Sequence, residues 1–303
     1  MIELKSSNAG SAKTNGANRR LVLKTSLATL AALGAGGVST LAKAQGTFSP
    51  NNDALTDVDI LNFALNLEYL EAEYYHYAVY GHGLSQDKRT GTGMQGKVVG
   101  GSMVPFQNIA TQQYATEIAQ DELKHVEFLR AALGSAAVAE PSINLQSSFN
   151  RLAKAAGLGD AFDPFSSGEN FLIGAFIFED VGVTAYHGAA PHIKSKAYLD
   201  AAAGILAVEA YHASLIRVLC YQFGLAREVG AISKLRNKLS AEIGKPLITD
   251  QGIELNGMAN IIPADGDGIA FQRTPQEVLN IVYAGGQSGD YGFFPNMLNG
   301  TIH

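Results

Sequence analysis

A chain of 303 residues, 47% of them hydrophobic, holds one large domain or two small ones and can bury a core. With 28 acidic against 22 basic residues it offers no basic footprint for a phosphate backbone, which excludes nucleic acid as a partner. A single cysteine, Cys220, excludes an internal disulfide, and within its apolar helical run it reads as a small core residue.

At the N-terminus, Asn18-Arg19-Arg20-Leu21-Val22-Leu23-Lys24 reads as a twin-arginine export signal. An uncharged, small and apolar stretch from Thr25 to Ala42 follows, and Ala42-Lys43-Ala44 supplies a small-x-small cleavage pattern. The competing reading is a membrane anchor, but the stretch is rich in Gly, Ser and Thr and barely long enough to span a bilayer. Residues 1–44 are therefore expected to be a cleaved signal peptide. The mature chain would begin near Gln45, periplasmic or otherwise exported, with no membrane attachment. Cleavage would leave 16 basic against 27 acidic residues and move the formal charge from −6 to −11. The twin-arginine route carries proteins already folded, often with a cofactor installed, which suits a metal site assembled before export.

Hydrophobic spacing predicts four long helices beyond residue 50. The first runs from about Asp57 to Tyr80, with Ile60, Phe63, Ala64, Leu67 and Leu70 at helical intervals. A Gly-rich loop from Gly81 to Met103 leads to the second, expected to open at Pro105 and to close near Leu133 before a capping Gly134. The third, Glu169 to Ala190, is apolar almost all round, the mark of a buried helix, and Pro191 ends it. The fourth runs from Ser195 to Phe223 and stops at Gly224. Helices three and four, joined by a few residues, should be antiparallel neighbours. The second and third are separated by a long Ser-, Pro- and Gly-rich segment with a short helix expected at Phe149–Ala156. The fold class is accordingly all-α: a four-helix bundle over residues 45–225 with one long crossover, the ferritin-like connectivity. Residues 226–303 form a loop-rich extension expected to pack on the bundle, with a helix around Ala226–Leu239 and a capping box at Thr274-Pro275-Gln276-Glu277. The Phe293-Phe294-Pro295 cluster should anchor it, and Asp265-Gly266-Asp267-Gly268 reads as a plain turn.

On those helices the acids and histidines fall into a repeated order. Glu68 is followed after seven residues by Tyr75 and His76, and Glu179 after seven by Tyr186 and His187. Glu122/His125 and Glu209/His212 are Glu-x-x-His steps, each placing a carboxylate and an imidazole on one helix face. The set Glu, Glu-x-x-His, Glu, Glu-x-x-His is that of a pair of metal ions in a four-helix bundle. Glu68, Glu122, His125, Glu179, Glu209 and His212 are the expected ligands, with Glu122 and Glu209 bridging. Oxygen-rich sites with one imidazole per ion suit iron or manganese, so the expected cofactor is two Fe or Mn ions. Four glutamates against two dications leave the site near neutral, whereas the same carboxylates buried without metal would be forced to take protons. Glu71 lies one turn beyond Glu68 and competes with it. The repeat aligns Glu68 with Glu179 and Glu71 with Gly182, so Glu68 is preferred and Glu71 is kept for a supporting role or as its substitute. Tyr75 and Tyr186 are candidates to hydrogen-bond ligands, Asp121 to orient a ligand histidine, and His76 and His187 read as structural.

The run Leu65-Asn66-Leu67-Glu68-Tyr69-Leu70-Glu71-Ala72-Glu73-Tyr74-Tyr75 resembles the opening helix of the bacterial, exported ferritin-like proteins described as desiccation-related. The resemblance continues through both Glu-x-x-His helices and into Pro263-Ala264-Asp265, Arg273-Thr274-Pro275 and Phe293-Phe294-Pro295-Asn296. It implies the ferritin-like fold and a stress or desiccation association, but no settled reaction. Val208 departs from many dimetal relatives, where Asp often precedes the last Glu-x-x-His. The functional expectation is redox chemistry on peroxide or oxygen, catalase-like or ferroxidase-like, with no separate acid–base residue assigned. The alternative is a protective protein in which metal only stabilises the bundle, and iron storage is a weaker third reading. A homo-oligomer is compatible with the fold.

Overall fold

The computed structural model describes residues 55–241, 250–286 and 291–303. The signal and cleavage readings, on residues 1–44, lie outside the described residues.

Helix α1 spans Asp57–Tyr80, opened by a reciprocal capping box between Thr56 and Asp59 and closed by Gly81 in the left-handed region at φ 74°. A single turn, α2 (Gln86–Arg89), and a short strand, β1 (Val98–Gly100), interrupt the loop that follows. Helix α3 is Ile109–Leu133. It does not open at Pro105. Val104 N donates to the carbonyl of Ala78 at 2.8 Å, holding this segment extended against the end of α1. Asn108 then accepts from Thr111 N at 3.0 Å and starts the helix one turn later than the proline suggests.

The crossover contains β2 (Ile143–Leu145), which pairs in parallel with β1 through Val98–Ile143, Val99–Asn144 and Gly100–Leu145, and then α4 (Ser147–Ala155). Helix α5, Gly168–Ala189, is capped by Ser167 and buried at every position from Phe171 to Gly182. Pro191 lies in a 3-10 turn, and α6 follows at Lys196–Gln222 behind a Ser195 cap. Asp57 accepts from the backbone of Lys194 and Ser195 at 2.8 Å each, tying the start of α1 to the α5–α6 connection.

The helices pair as α1 with α3 and α5 with α6, and the two pairs meet chiefly along α1 and α5. Contacts such as Asn62–Ala136 and Glu68–His125 make the first pair antiparallel, and Cys220–Leu172 with His212–Glu179 do the same for the second. Among the described residues one helix, α6, is long and apolar enough to cross a membrane. It turns Glu209 and His212 into the bundle core.

The segment after α6 closes one side of the bundle. It comprises α7 (Ala226–Ala241), a two-residue hairpin of β3 (Glu254–Leu255) and β4 (Met258–Ala259), and α8 (Pro275–Val282) with the expected Thr274–Glu277 capping box. Phe293 is fully buried, with its ring centroid 4.9 Å from that of Phe178 and 5.0 Å from that of Phe149. The chain crosses α5 at Gly188, where a Cβ would stand 1.9 Å from the carbonyl oxygen of Arg273. Asp265 accepts from the amides of Asp267 and Ile269 at 2.9 Å each, a plain turn.

Candidate metal centre

Four helices bring the repeated acids and histidines to one buried place. Glu68, Glu122, His125 and Glu209 present donor atoms within 4.8 Å of one another, and so do Glu122, Glu179, Glu209 and His212. The two sets share Glu122 and Glu209. Each imidazole faces one set through its Nδ1. His125 Nδ1 lies 3.2 Å from Glu68 Oε2 and 3.4 Å from both Glu122 Oε2 and Glu209 Oε1. His212 Nδ1 lies 3.0 Å from Glu122 Oε1 and 3.8 Å from Glu179 Oε2.

The tyrosines connect crosswise. Tyr75 on α1 donates to Glu179 on α5, and Tyr186 on α5 donates to Glu68 on α1. Seven residues of helix advance about 10.5 Å. In an antiparallel neighbour with the same spacing, that advance carries each tyrosine to the other helix's glutamate. The cluster thus has an approximate two-fold relation exchanging α1 with α5 and α3 with α6. The relation breaks at one point. Asp121 Oδ2 lies 3.3 Å from His212 Nε2, the position from which a carboxylate orients an imidazole able to bind metal. Val208 holds the corresponding place before Glu209 and offers His125 no acceptor.

Electrostatics mark the cluster as incomplete by itself. Both oxygens of Glu122 and of Glu209, Oε2 of Glu179 and Nδ1 of His212 are buried without a hydrogen-bond partner. Native interiors rarely leave such groups unmatched. Burial raises Glu68 to about 8 against its ordinary 4.5. Burial, reinforced by Glu209 and Glu122, also lifts Glu179 well above the carboxylate range, and the same two acids act on Glu71. Burial works against a charged Glu122 too, but the imidazoles of His125 and His212 beside it hold it below that range. Burial works against a charged His212, but Glu122 and Glu179 raise it to about 10. Without metal, the cluster remains buried only by binding protons. Two dications would satisfy the orphaned oxygens and balance four carboxylates, so the donor set fits a pair of oxygen-preferring transition metals.

Glu71 is buried beside this cluster, and Gly182 explains how both fit. A Cβ on Gly182 would stand 2.5 Å from Glu209 Oε2 and 3.5 Å from Glu71 Oε1, so the bare backbone leaves the space those carboxylates fill. His76 and His187 lie elsewhere. The His76 ring packs on Tyr80 and His82, and His187 Nδ1 lies 3.1 Å from the carbonyl of Phe271.

The family is decided by the stretch that carries these residues: residues 56–222 match the ferritin-like domain model. The chain belongs to the ferritin-like domain family. It is 30% identical over 275 residues to the ferritin-like catalase Nec2 of Nesocodon mauritianus, covering 84% of this chain and 88% of that one. It is also 30% identical over 245 residues to the desiccation-related protein PCC13-62 of Craterostigma plantagineum, covering 74% and 76% of the two chains. No solved structure matches the chain significantly.

Behind Glu179 this ferritin-like protein carries a group that helical spacing does not announce. Asp180 Oδ2 accepts from Arg217 and Arg236 at 2.8 Å each, and Asp250 Oδ2 accepts from Arg273 at 2.7 Å, all of them buried. Arg236 also donates to the backbone carbonyl of Ile177 at 3.3 Å, clamping α5 two residues before Glu179. The one visible signal was Arg217 in the apolar run Leu215-Ile216-Arg217-Val218-Leu219, whereas Arg236 and Arg273 sit among polar residues, in Lys234-Leu235-Arg236-Asn237-Lys238 and Gln272-Arg273-Thr274.

Proposed function

We propose that this chain is an exported dimetal-carboxylate protein that turns over peroxide, converting two molecules of hydrogen peroxide to water and oxygen. The observation that carries the reading is the pair of buried carboxylate–histidine sets sharing Glu122 and Glu209. Glu68 and His125 would hold one ion and Glu179 and His212 the other, with Glu122 and Glu209 common to both sets. When bound, two iron or manganese ions would supply the electron exchange with peroxide. Reduction of oxygen by the same ions is the neighbouring chemistry, and the catalase name of one relative favours peroxide.

The side chains' own part is positional and protonic. Tyr75 and Tyr186 fix one oxygen each of Glu179 and Glu68, leaving the second oxygen of each on the side of the neighbouring histidine, where it would be available to metal. Asp121 holds the tautomer of His212 that keeps Nδ1 free for metal. Burial, reinforced by Glu209 and Glu122, raises Glu71 well above the carboxylate range in the metal-free protein, so it is a candidate to hold a proton beside the cluster. Approach from the α3–α6 side is part of the proposal, because His125 and His212 there retain 7% and 5% exposure against 1% each for Glu68 on α1 and Glu179 on α5.

The deciding experiment is metal analysis of the purified protein with oxygen release measured before and after chelation. Two metals per chain and chelator-sensitive release, both lost in Glu122→Ala, are expected. Fewer than one transition metal per chain under metal-replete expression would sink the proposal. A second reading, a protective protein with structural metal, is favoured by the desiccation-related relative. It predicts that Glu122→Ala and Glu209→Ala lower the melting temperature while peroxide turnover stays at background in both forms.

A further inference from the structure

A cavity of about 330 Å³ lies outside the acid–histidine cluster, between the α5–α6 pair and the segment that follows β4. Val183, Ala210 and Tyr211 form its bundle wall, and Ile261, Ile262 and Phe271 its outer wall. Its volume lies at the lower end of the roughly 300–1,000 Å³ found for small-molecule pockets. Tyr211 and Ile262 are 74% and 77% exposed, so the mouth is rimmed by large apolar side chains that the fold itself does not cover.

The charged groups in the wall decide what can occupy it. Asp180 is held by Arg217 and Arg236, and Asp250 by Arg236 and Arg273. Arg273 also donates to Thr184 Oγ1 at 2.9 Å and Ser240 Oγ at 3.2 Å. Gln251 is engaged at both ends, donating to the carbonyl of Ala264 at 3.2 Å and accepting from Asn260 at 3.0 Å. Every charged or amide side chain that lines the cavity is therefore already committed to a partner within the protein. An ionic ligand would have to be stripped of water with no counter-charge released to meet it, whereas an apolar one gains from burial alone.

We propose that this cavity is a binding site for one uncharged, mostly apolar small molecule. The site is independent of metal, although Ala210 and Ala213 in its wall directly follow Glu209 and His212 and so share a helix with the cluster.

The test uses two matched fluorescent probes, neutral N-phenyl-1-naphthylamine and its anionic sulfonate, 8-anilinonaphthalene-1-sulfonate, on the full-length protein. The expected result is saturable binding of the neutral probe, one per chain, with the sulfonate at least about tenfold weaker, a difference of about 1.4 kcal/mol. Ser214→Phe on the bundle wall and Ala270→Trp on the outer wall should each weaken the neutral probe at least about tenfold, while Tyr221→Ala, outside the cavity, leaves it unchanged. Thermal melts of both wall variants check that they remain folded, and the two walls give separate readings if one variant does not. Equal or tighter binding of the sulfonate overturns the proposal, as does binding that survives both substitutions. A wild-type dimer in light scattering that becomes monomeric in the wall variants also overturns it, since a second copy would then be the occupant.

Discussion

Gly182→Ala separates a role for Glu209 in metal binding from a role in packing. The new Cβ would stand 2.5 Å from Glu209 Oε2 and 3.3 Å from Glu209 Cδ. Ordinary contact needs about 3.5 Å, so the carboxylate must retreat by about 1 Å. That is easy for the free end of a side chain in the metal-free protein. It is severe for a bridging ligand, whose working tolerance is about 0.5 Å. Meanwhile alanine in place of an interior helical glycine stabilises by up to about 1 kcal/mol. The metal-free variant should thus melt at or slightly above wild type, by up to about 4 °C for a domain of this size. Metal affinity should fall about 10- to 100-fold, the usual effect of disturbing a ligand's setting, or about 1.4–2.7 kcal/mol. Calorimetric melts with and without metal, together with chelator competition, measure both quantities. Wild-type affinity for two metals in this variant would refute the placement of Glu209 between them.

Three further outcomes follow from the same geometry. Tyr75→Phe and Tyr186→Phe each leave a buried glutamate oxygen without its donor, so each should cost about 1–3 kcal/mol in denaturant unfolding and weaken metal binding; an unchanged midpoint in both would count against the crossed pairing. Arg236→Met strips one guanidinium from both Asp180 and Asp250 and should cost about 3–5 kcal/mol by the same measurement, with peroxide turnover per folded, loaded molecule retained. The metal-free protein should lose stability as pH rises. Burial holds Glu68 at about 8 in the fold against 4.5 when unfolded, so its contribution is full below 4.5 and gone above about 8. His212, raised to about 10 from 6.5 by Glu122 and Glu179 against its burial, acts with the same sign over that higher window. Glu122, depressed by its two histidines, acts oppositely and only in acid. Thermal scans should therefore fall from pH 5 to 9 without metal and flatten once metal replaces the protons.

The bundle was legible because its determinants are local and periodic. The four helices, the long crossover and the Thr274 capping box each follow from spacing or capping residues that act within a few positions. Chain order also placed the six acid and histidine candidates, since a three-residue step on a helix fixes a shared face whatever the tertiary context. The start of α3 was misplaced because Pro105 permits a helix start without requiring one, and the Val104–Ala78 bond that keeps the segment extended is long-range. The crossed tyrosines were only half visible: the repeat put each beside a glutamate, but which glutamate depends on antiparallel docking of α1 and α5. The Asp180–Arg236–Asp250–Arg273 network joins residues from α5, α7 and two loop positions, and no sequence period links them.

The crossed tyrosines also bear on when the site can come into being during synthesis. Neither the α1–α3 hairpin nor the α5–α6 hairpin carries a finished half, because each terminal glutamate is oriented by a phenol from the other. A ribosome that has released residues up to Leu133 has exposed Glu68, Glu122 and His125 but not Glu179, Glu209 or the hydroxyl that fixes Glu68. On the proposed reading, selective capture of metal would wait until α6 is complete and the hairpins have docked. Under the proposed export, the compartment in which the whole chain folds, rather than the one in which it later works, would set which ions compete for the site.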